Sequence, residues 1–335
     1  MTGGVVRVLE PGLLTTIQDA DGRPGNGRFG VPPGGAMDAD AARLANRLVG
    51  NRGDEPVLEI TVHGPTLAWE TAAHVGLAGA DLAAVAEHLQ LGPWHSHRLH
   101  AGAVLRFERS ADRGRGARAY LAIEGGFLVE PVLGSAATDR RSGFGGLDGR
   151  ALRTGDTLAY RADQGGRLRS LVRDRGGPHG EPPFDPAVPV VIHVVATPAD
   201  LGWFGSDALD ALTGTAWTVE PDSDRNGIRL GGGRVPARAD RIASLGVPVG
   251  SVQVPASGAP IVTMVDGPVT GGYPVIGVVP RIDHGRLGQL VPGASVRFRS
   301  IDVVAARELT RAAAQAAGRD RIELDPGDVG AGWAG

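Results

Sequence analysis

Gly102-Ala-Val-Leu-Arg-Phe107, Gly155-Asp-Thr-Leu-Ala-Tyr160 and Gly293-Ala-Ser-Val-Arg-Phe298 share one form: a glycine, an aliphatic residue three places on, and an aromatic residue five places on. Glycine turns a chain through left-handed backbone conformations at no steric cost, and side chains two apart lie on one face of a strand. Each segment therefore reads as a turn feeding a half-buried strand. The recurrence of the form in both halves points to a duplicated β architecture, although turn-then-strand is also common in unrelated β proteins.

Outward from these anchors, short β-like runs fill the chain. In the first half they are Val5 to Leu9, Val57 to Val62, Val75 to Leu77, Leu82 to Ala86, Val104 to Phe107 and Tyr120 to Ile123. In the second they are Val190 to Ala196, Ala216 to Glu220, Ser251 to Val254, Ile261 to Val265, Val275 to Val279 and Val296 to Phe298. Helical spacing is confined to Met37 to Val49, closed by Gly50, to Pro198 to Leu212, and to the Ala-rich Val303 to Ala317. A chain of 335 residues accommodates about two domains. The proline-rich stretch 173–189 is the natural connector, giving a first half at 1–172, a second at 190–317 and a flexible tail at 318–335. The expected fold class is mainly β with a few helices.

Composition excludes several chemistries. There is no cysteine, so thiol nucleophiles and thiolate metal sites are absent. There is also no lysine: all 34 basic residues are arginine, so a P-loop lysine, a Schiff base or a biotinylated lysine must come from another chain. A net charge of -3 gives no field for nucleic acid, and no run of about 18 apolar residues offers a membrane span. The start lacks a basic segment followed by a long apolar one, which reads as cytoplasmic.

Candidate chemistry gathers at two glycine-rich corners. The first, Thr15 to Gly25, sets Asp19 and Arg23 around a tight turn and runs through Gly34-Gly35 to Asp38 at the first helix, where free N-H groups and the helix dipole favour an anion. Asp19 with Arg23 reads equally as a loop clamp, and Asp38 as a helix cap. Glu59 faces away from Leu58 and Ile60, toward either a barrel mouth or solvent. In the second corner Arg225 enters a strand, and Gln253 sits among apolar neighbours. Its amide is suited to a lactam or urea edge, or to satisfying core backbone. Asp266 to Tyr273 then forms a glycine-rich turn in which Thr270 lines the site. Gly271 and Gly272 could offer N-H groups to an oxyanion, Asp19 or Asp266 could handle protons with Tyr273 as a further catalytic candidate, and Arg23 or Arg225 could hold a carboxylate or phosphate; the bland reading is a hairpin. The cluster His95, His97, His100 reads as a solvated loop or strand rather than a metal site.

Four blocks carry a resemblance: Gly12 to Asp19 with Gly22-Arg23; Gly30-Val-Pro and Gly35 to Asp38 through Asn51; Gly125-Gly126 with Leu133-Gly-Ser135 and Thr138; and Ser223-Asp-Arg225 through Gly250 to Pro255 and Thr270 to Pro274 to Leu287-Gly-Gln-Leu290. Together they resemble the biotin-dependent carboxyltransferase-like family, which includes the C-type subunit of 5-oxoprolinase, KipA, allophanate hydrolase subunit 2 and the carboxyltransferase region of urea carboxylase. The resemblance implies two cyclophilin-like barrel halves around a central cleft. It also implies a KipI-like B-type partner, an A-type third subunit, and ATP-dependent opening of 5-oxoproline to glutamate, with ATP bound alongside the partners and no biotin attached to this chain. Carboxyl transfer from carboxybiotin to urea, and a KipA-like regulatory binding role, are the alternatives. The sequence departs from the family at Pro268-Val269, where Gln-Thr is frequent, and at Val275, where a lysine is frequent.

Overall fold

The computed structural model describes residues 3–108, 116–161, 166–172, 188–196, 202–319 and 321–324. The chain is mainly β and divides into two compact units. The first comprises Met1–Arg23, Gly34–Glu181 and Arg319–Gly335; the second, Pro24–Pro33 and Pro182–Gly318. Most of the expected connector, at 173–187, lies outside the described residues.

The first unit contains β1 (Gly3–Glu10), β2 (Leu14–Gln18), α1 (Ala39–Leu48), β3 (Val57–Thr61), β4 (Thr66–Trp69), β5 (Ala73–Gly79), β6 (Ala84–Ala86), β7 (Leu89–Leu91), β8 (His95–Leu99), β9 (Val104–Phe107), β10 (Arg118–Ile123), β11 (Thr157–Arg161) and β12 (Arg169–Val172). They pair as two sheets, β11-β1-β4-β9-β6-β7 and β2-β3-β10-β5-β8-β12, the second extended by a late strand described below. Val6, Val8, Leu67, Leu105 and Leu158 of the first sheet and Ile17, Leu58, Ile60, Leu77 and Leu121 of the second contribute to one buried apolar cluster. Within it Trp69 meets Tyr160 edge to face at 5.6 Å. The other face of the second sheet is also covered: Ala41, Ala42 and Ala45 of α1 pack with Val57, Ala78, Tyr120 and Ala122. A sheet buried on both sides cannot show simple in-out alternation.

The second unit contains β13 (Val190–Ala196), α2 (Ala208–Gly214), β14 (Trp217–Val219), β15 (Gly227–Gly231), β16 (Leu245–Gly246), β17 (Ser251–Gln253), β18 (Ile261–Thr263), β19 (Thr270–Gly271), β20 (Val275–Val278), α3 (His284–Gly288), β21 (Ser295–Ile301) and most of α4 (Val303–Arg319). Here seven strands close into a barrel in the order β13-β20-β17-β18-β15-β14-β21, while β16 and β19 form a separate ribbon. Closure leaves no open sheet edge.

The three anchoring glycines behave as read: Gly102, Gly155 and Gly293 all have φ near +90° and precede β9, β11 and β21. Two expectations are corrected. The helix expected over Pro198 to Leu212 is Ala208–Gly214, because Gly202 takes a left-handed φ of 69° and interrupts it; residues 198–201 are outside the described set. Within the expected tail, Arg321–Leu324 forms β22, which pairs antiparallel with β12 and completes the second sheet. Among the described residues no helix is long and apolar enough to cross a membrane.

Candidate active site

The first corner is a grip on a distant loop. Asp19 follows β2, and its Oδ2 accepts from Ser135 Oγ at 2.6 Å and the Ala136 N-H at 2.8 Å, while Oδ1 accepts from the Gly22 N-H at 2.7 Å. Arg23, almost wholly buried, donates to the carbonyls of Ala137 and Val132 and stacks over the Phe144 ring at 4.9 Å. Thr138 adds its own bonds to the Ile17 carbonyl, 2.8 Å from the hydroxyl and 3.0 Å from the N-H. A loop rich in turns has many backbone groups to satisfy, and Asp19 and Arg23 satisfy them. Both residues are therefore engaged in holding 132–144, the clamp reading, with Ser135 and Thr138 as partners.

Glu59, Asp38, Tyr120 and Arg118 form one buried network. Glu59 points to neither solvent nor an open mouth: its Oε2 accepts from the Met37 N-H at 2.8 Å and the Tyr120 hydroxyl at 2.9 Å, and Oε1 lies 3.8 Å from Arg118 Nε. The Tyr120 hydroxyl in turn accepts from the Asp38 N-H at 2.8 Å, and Asp38 caps α1 by accepting from the Ala41 N-H at 3.1 Å. Burial, reinforced by the neighbouring carboxylates of Glu59 and Asp38, holds the Tyr120 phenol well above its ordinary range, so it stays protonated and donating. The network joins the start of α1 to β3 and β10.

In the second unit Arg225 and Asp266 clasp each other, Nε to Oδ2 at 2.7 Å and Nη2 to Oδ1 at 2.9 Å. Both carboxylate oxygens are engaged by the guanidinium, and the Asp266 N-H also donates to the Arg225 carbonyl at 3.0 Å. The pair ties the loop before β15 to the turn after β18. Gly271 and Gly272 are not arranged as an anion-binding nest. Neither takes the positive φ that alternates with helical backbone in an anion-binding nest; Gly271 lies in the β16-β19 ribbon, and the Gly272 carbonyl accepts from the Ile242 N-H. The segment is accordingly a ribbon strand, not a tight hairpin.

Gln253 is different. Its Nε2 donates to Thr263 Oγ1 at 2.7 Å, and among the described residues its Oε1 has no hydrogen-bond partner. A Cβ built on Gly271 would sit 2.9 Å from that oxygen and 3.0 Å from Val247 Cγ2. Glycine at 271 thus keeps the amide oxygen uncovered, while Thr263 occupies the amide nitrogen. What remains is one acceptor in a largely dry environment, suited to a ligand N-H. Thr270 is exposed and Tyr273 half-buried; among the described residues neither side chain makes a hydrogen bond. The roles of Thr263, Ser135 and Tyr120 are not legible in the sequence, because each depends on a partner from another strand or loop.

The model of a family described as the carboxyltransferase domain, subdomain A and B, matches residues 29–300. The C-type subunit of 5-oxoprolinase from Escherichia coli is 35% identical over 301 residues, covering 88% of this chain and 90% of its own length. Urea amidolyase of Lachancea kluyveri is 33% identical, covering 90% of this chain. The solved urea carboxylase of Kluyveromyces lactis superposes with a TM-score of 0.81 at 27% identity over 97% of this chain. The chain spans only 17% of that amidolyase and 30% of that carboxylase.

Proposed function

Because the chain belongs to the carboxyltransferase domain family of subdomains A and B, we propose that it is the C-type subunit of an ATP-dependent 5-oxoprolinase, converting 5-oxo-L-proline, ATP and water to L-glutamate, ADP and phosphate together with A- and B-type subunits. The observation that carries this reading is Gln253, buried, with its nitrogen held by Thr263 and its oxygen left open beside Gly271. A lactam ring brings one N-H donor next to its carbonyl, which is the complement of that single acceptor. The 35% identity to the Escherichia coli oxoprolinase subunit over 301 residues supports it further.

In this reading Gln253 fixes the lactam edge, and Thr270, Gly271 and Tyr273 line the same corner. Asp266 holds Arg225 in place, so that the pair frames the site rather than shuttling protons. ATP supplies activation of the poorly electrophilic lactam carbonyl by turning its oxygen into a leaving group. With no lysine in the chain, its phosphates rely on arginine or on a partner subunit.

The test is co-expression with A- and B-type subunits and measurement of glutamate formed from 5-oxoproline and ATP, with allophanate formation from urea, bicarbonate and a biotinylated carrier in parallel. Glutamate alone supports the reading; allophanate alone overturns it in favour of urea carboxylation, the reading favoured by the structural likeness to urea carboxylase.

A further inference from the structure

The outer wall of the second-unit barrel carries cationic groups that the oxoprolinase reading does not use. On β13, Ile192 and Val194 are buried in the barrel, so Val191, His193 and Val195 face outward. β21 runs parallel beside it, with Val191 opposite Arg297 and His193 opposite Arg299. Val296 and Phe298 are its buried residues, which puts Arg297 and Arg299 on the same outward face as His193. Neighbouring strands are about 4.8 Å apart, so His193 and Arg299 start as immediate neighbours, with Arg297 two residues back on the same face, opposite Val191.

His193 is held from one side. Its backbone N-H donates to Asp283 Oδ2 at 2.7 Å and its Nδ1 lies 2.8 Å from the same oxygen. Asp283 is completely buried, and its second oxygen lies 3.5 Å from Arg286 Nη1. A ring whose Nδ1 is bound to a carboxylate has a fixed orientation; the His193 side chain is 16% exposed, and its Nε2 is the nitrogen that Asp283 does not hold. Among the described residues Nε2 has no partner, and neither Arg297 nor Arg299 makes a hydrogen bond or ion pair. Two like charges two residues apart on one strand repel, and Asp283, turned inward to His193 and Arg286, does not offset them.

We propose that His193, Arg297 and Arg299 bind a phosphate-type oxyanion, either free phosphate or the phosphates of a nucleotide. Two guanidinium forks and one oriented imidazole match a tetrahedral group with several oxygens and more than one negative charge better than a single carboxylate. The proposal does not depend on the lactam reading.

The experiment is calorimetric titration of the full chain with inorganic phosphate, ADP and ATP at fixed ionic strength, repeated on Arg297→Ser/Arg299→Ser and on His193→Gln. Because both arginines are exposed, the double variant should keep its fold, checked by an unchanged thermal transition. Saturable binding that weakens about tenfold or more in the double variant and by less in His193→Gln supports the site. Phosphate binding as tightly as nucleotide identifies the free ion as ligand; nucleotide alone identifies a nucleotide. Absence of saturation with all three, or unchanged affinity in the double variant, overturns the proposal. So does a double variant whose only defect is failure to assemble with partner subunits, which would assign the face to an acidic protein surface. Since binding is read without turnover, a chain lacking oxoprolinase activity could still pass.

Discussion

Replacing Glu59 by Ala tests whether this carboxylate is structural. The side chain is about 1% exposed, so its interactions escape solvent screening. Removing it leaves the buried Arg118 guanidinium without a carboxylate at 3.8 Å and takes the acceptor from the Met37 N-H and the Tyr120 hydroxyl. Breaking a buried ion pair from one side costs roughly 3–5 kcal/mol, and each orphaned buried donor roughly 1–3 kcal/mol. These penalties overlap because the same pocket relaxes around all of them, so about 4 kcal/mol is expected for Glu59→Ala. At roughly 2–4 °C per kcal/mol, the first unit should melt about 8–16 °C lower. Glu59→Gln retains an acceptor and the shape but not the charge, and should lose roughly half as much. Urea denaturation followed by Trp fluorescence reads both, and the double variant Glu59→Ala/Arg118→Met should recover part of the loss. A Glu59→Ala protein within about 1 kcal/mol of the parent would refute the reasoning and return Glu59 to the groups free for chemistry.

Gln253→Ala should lower kcat/KM for 5-oxoproline in the assembled complex by about 10- to 100-fold because a binding acceptor is lost, and should also cost roughly 1–3 kcal/mol of stability with the buried bond to Thr263; steady-state kinetics beside a melting curve separates the two. Gly271→Ala should mimic it, since the new methyl would press on Gln253 Oε1 at 2.9 Å and Val247 at 3.0 Å; intact turnover there would mean the open oxygen faces no substrate. Asp266→Ala, in contrast, should lower stability by roughly 3 kcal/mol by stripping both bonds from buried Arg225, and chemical denaturation will separate that loss from a kinetic one. Burial lowers the proton affinity of His284, opposed in part by its bond to the Val279 carbonyl, and lowers that of His97 likewise. The unfolded chain then binds more protons below about pH 6.5, so stability is complete above that value and falls as pH drops through it toward the folded-state value. His284→Gln should flatten this slope between about pH 7.5 and 5.5 in denaturant midpoints.

Strand content is legible because it is written locally. The glycine that opens each of 102–107, 155–160 and 293–298 needs only its own backbone freedom, and the aliphatic-aromatic spacing needs only the pleat. Helix α1 is equally plain, from the Asp38 cap to the left-handed Gly50. Pairing is not, because β2 with β3, or β13 in parallel with β21, joins residues far apart in sequence. Glu59 shows the limit most clearly. Alternation places it opposite Leu58 and Ile60, but whether that face meets water depends on α1 lying over it, which no single strand reveals. Asp266 and Arg225 stand out in the sequence as a carboxylate and a cation at glycine-rich turns, yet their mutual clasp depends on the loops before β15 and after β18 meeting. His193 gives no signal at all, since its partner Asp283 is 90 residues away.

The pairing of β22 with β12 sets an order on biosynthesis. A sheet that begins with residues 14–18 acquires its last strand only when residues 321–324 have emerged from the ribosome, after every strand of the barrel has been made. Until then the nascent protein carries β12 with one flank open, a free edge to which other chains can add. Emergence of those four residues, rather than completion of the barrel, is therefore the event that closes this edge.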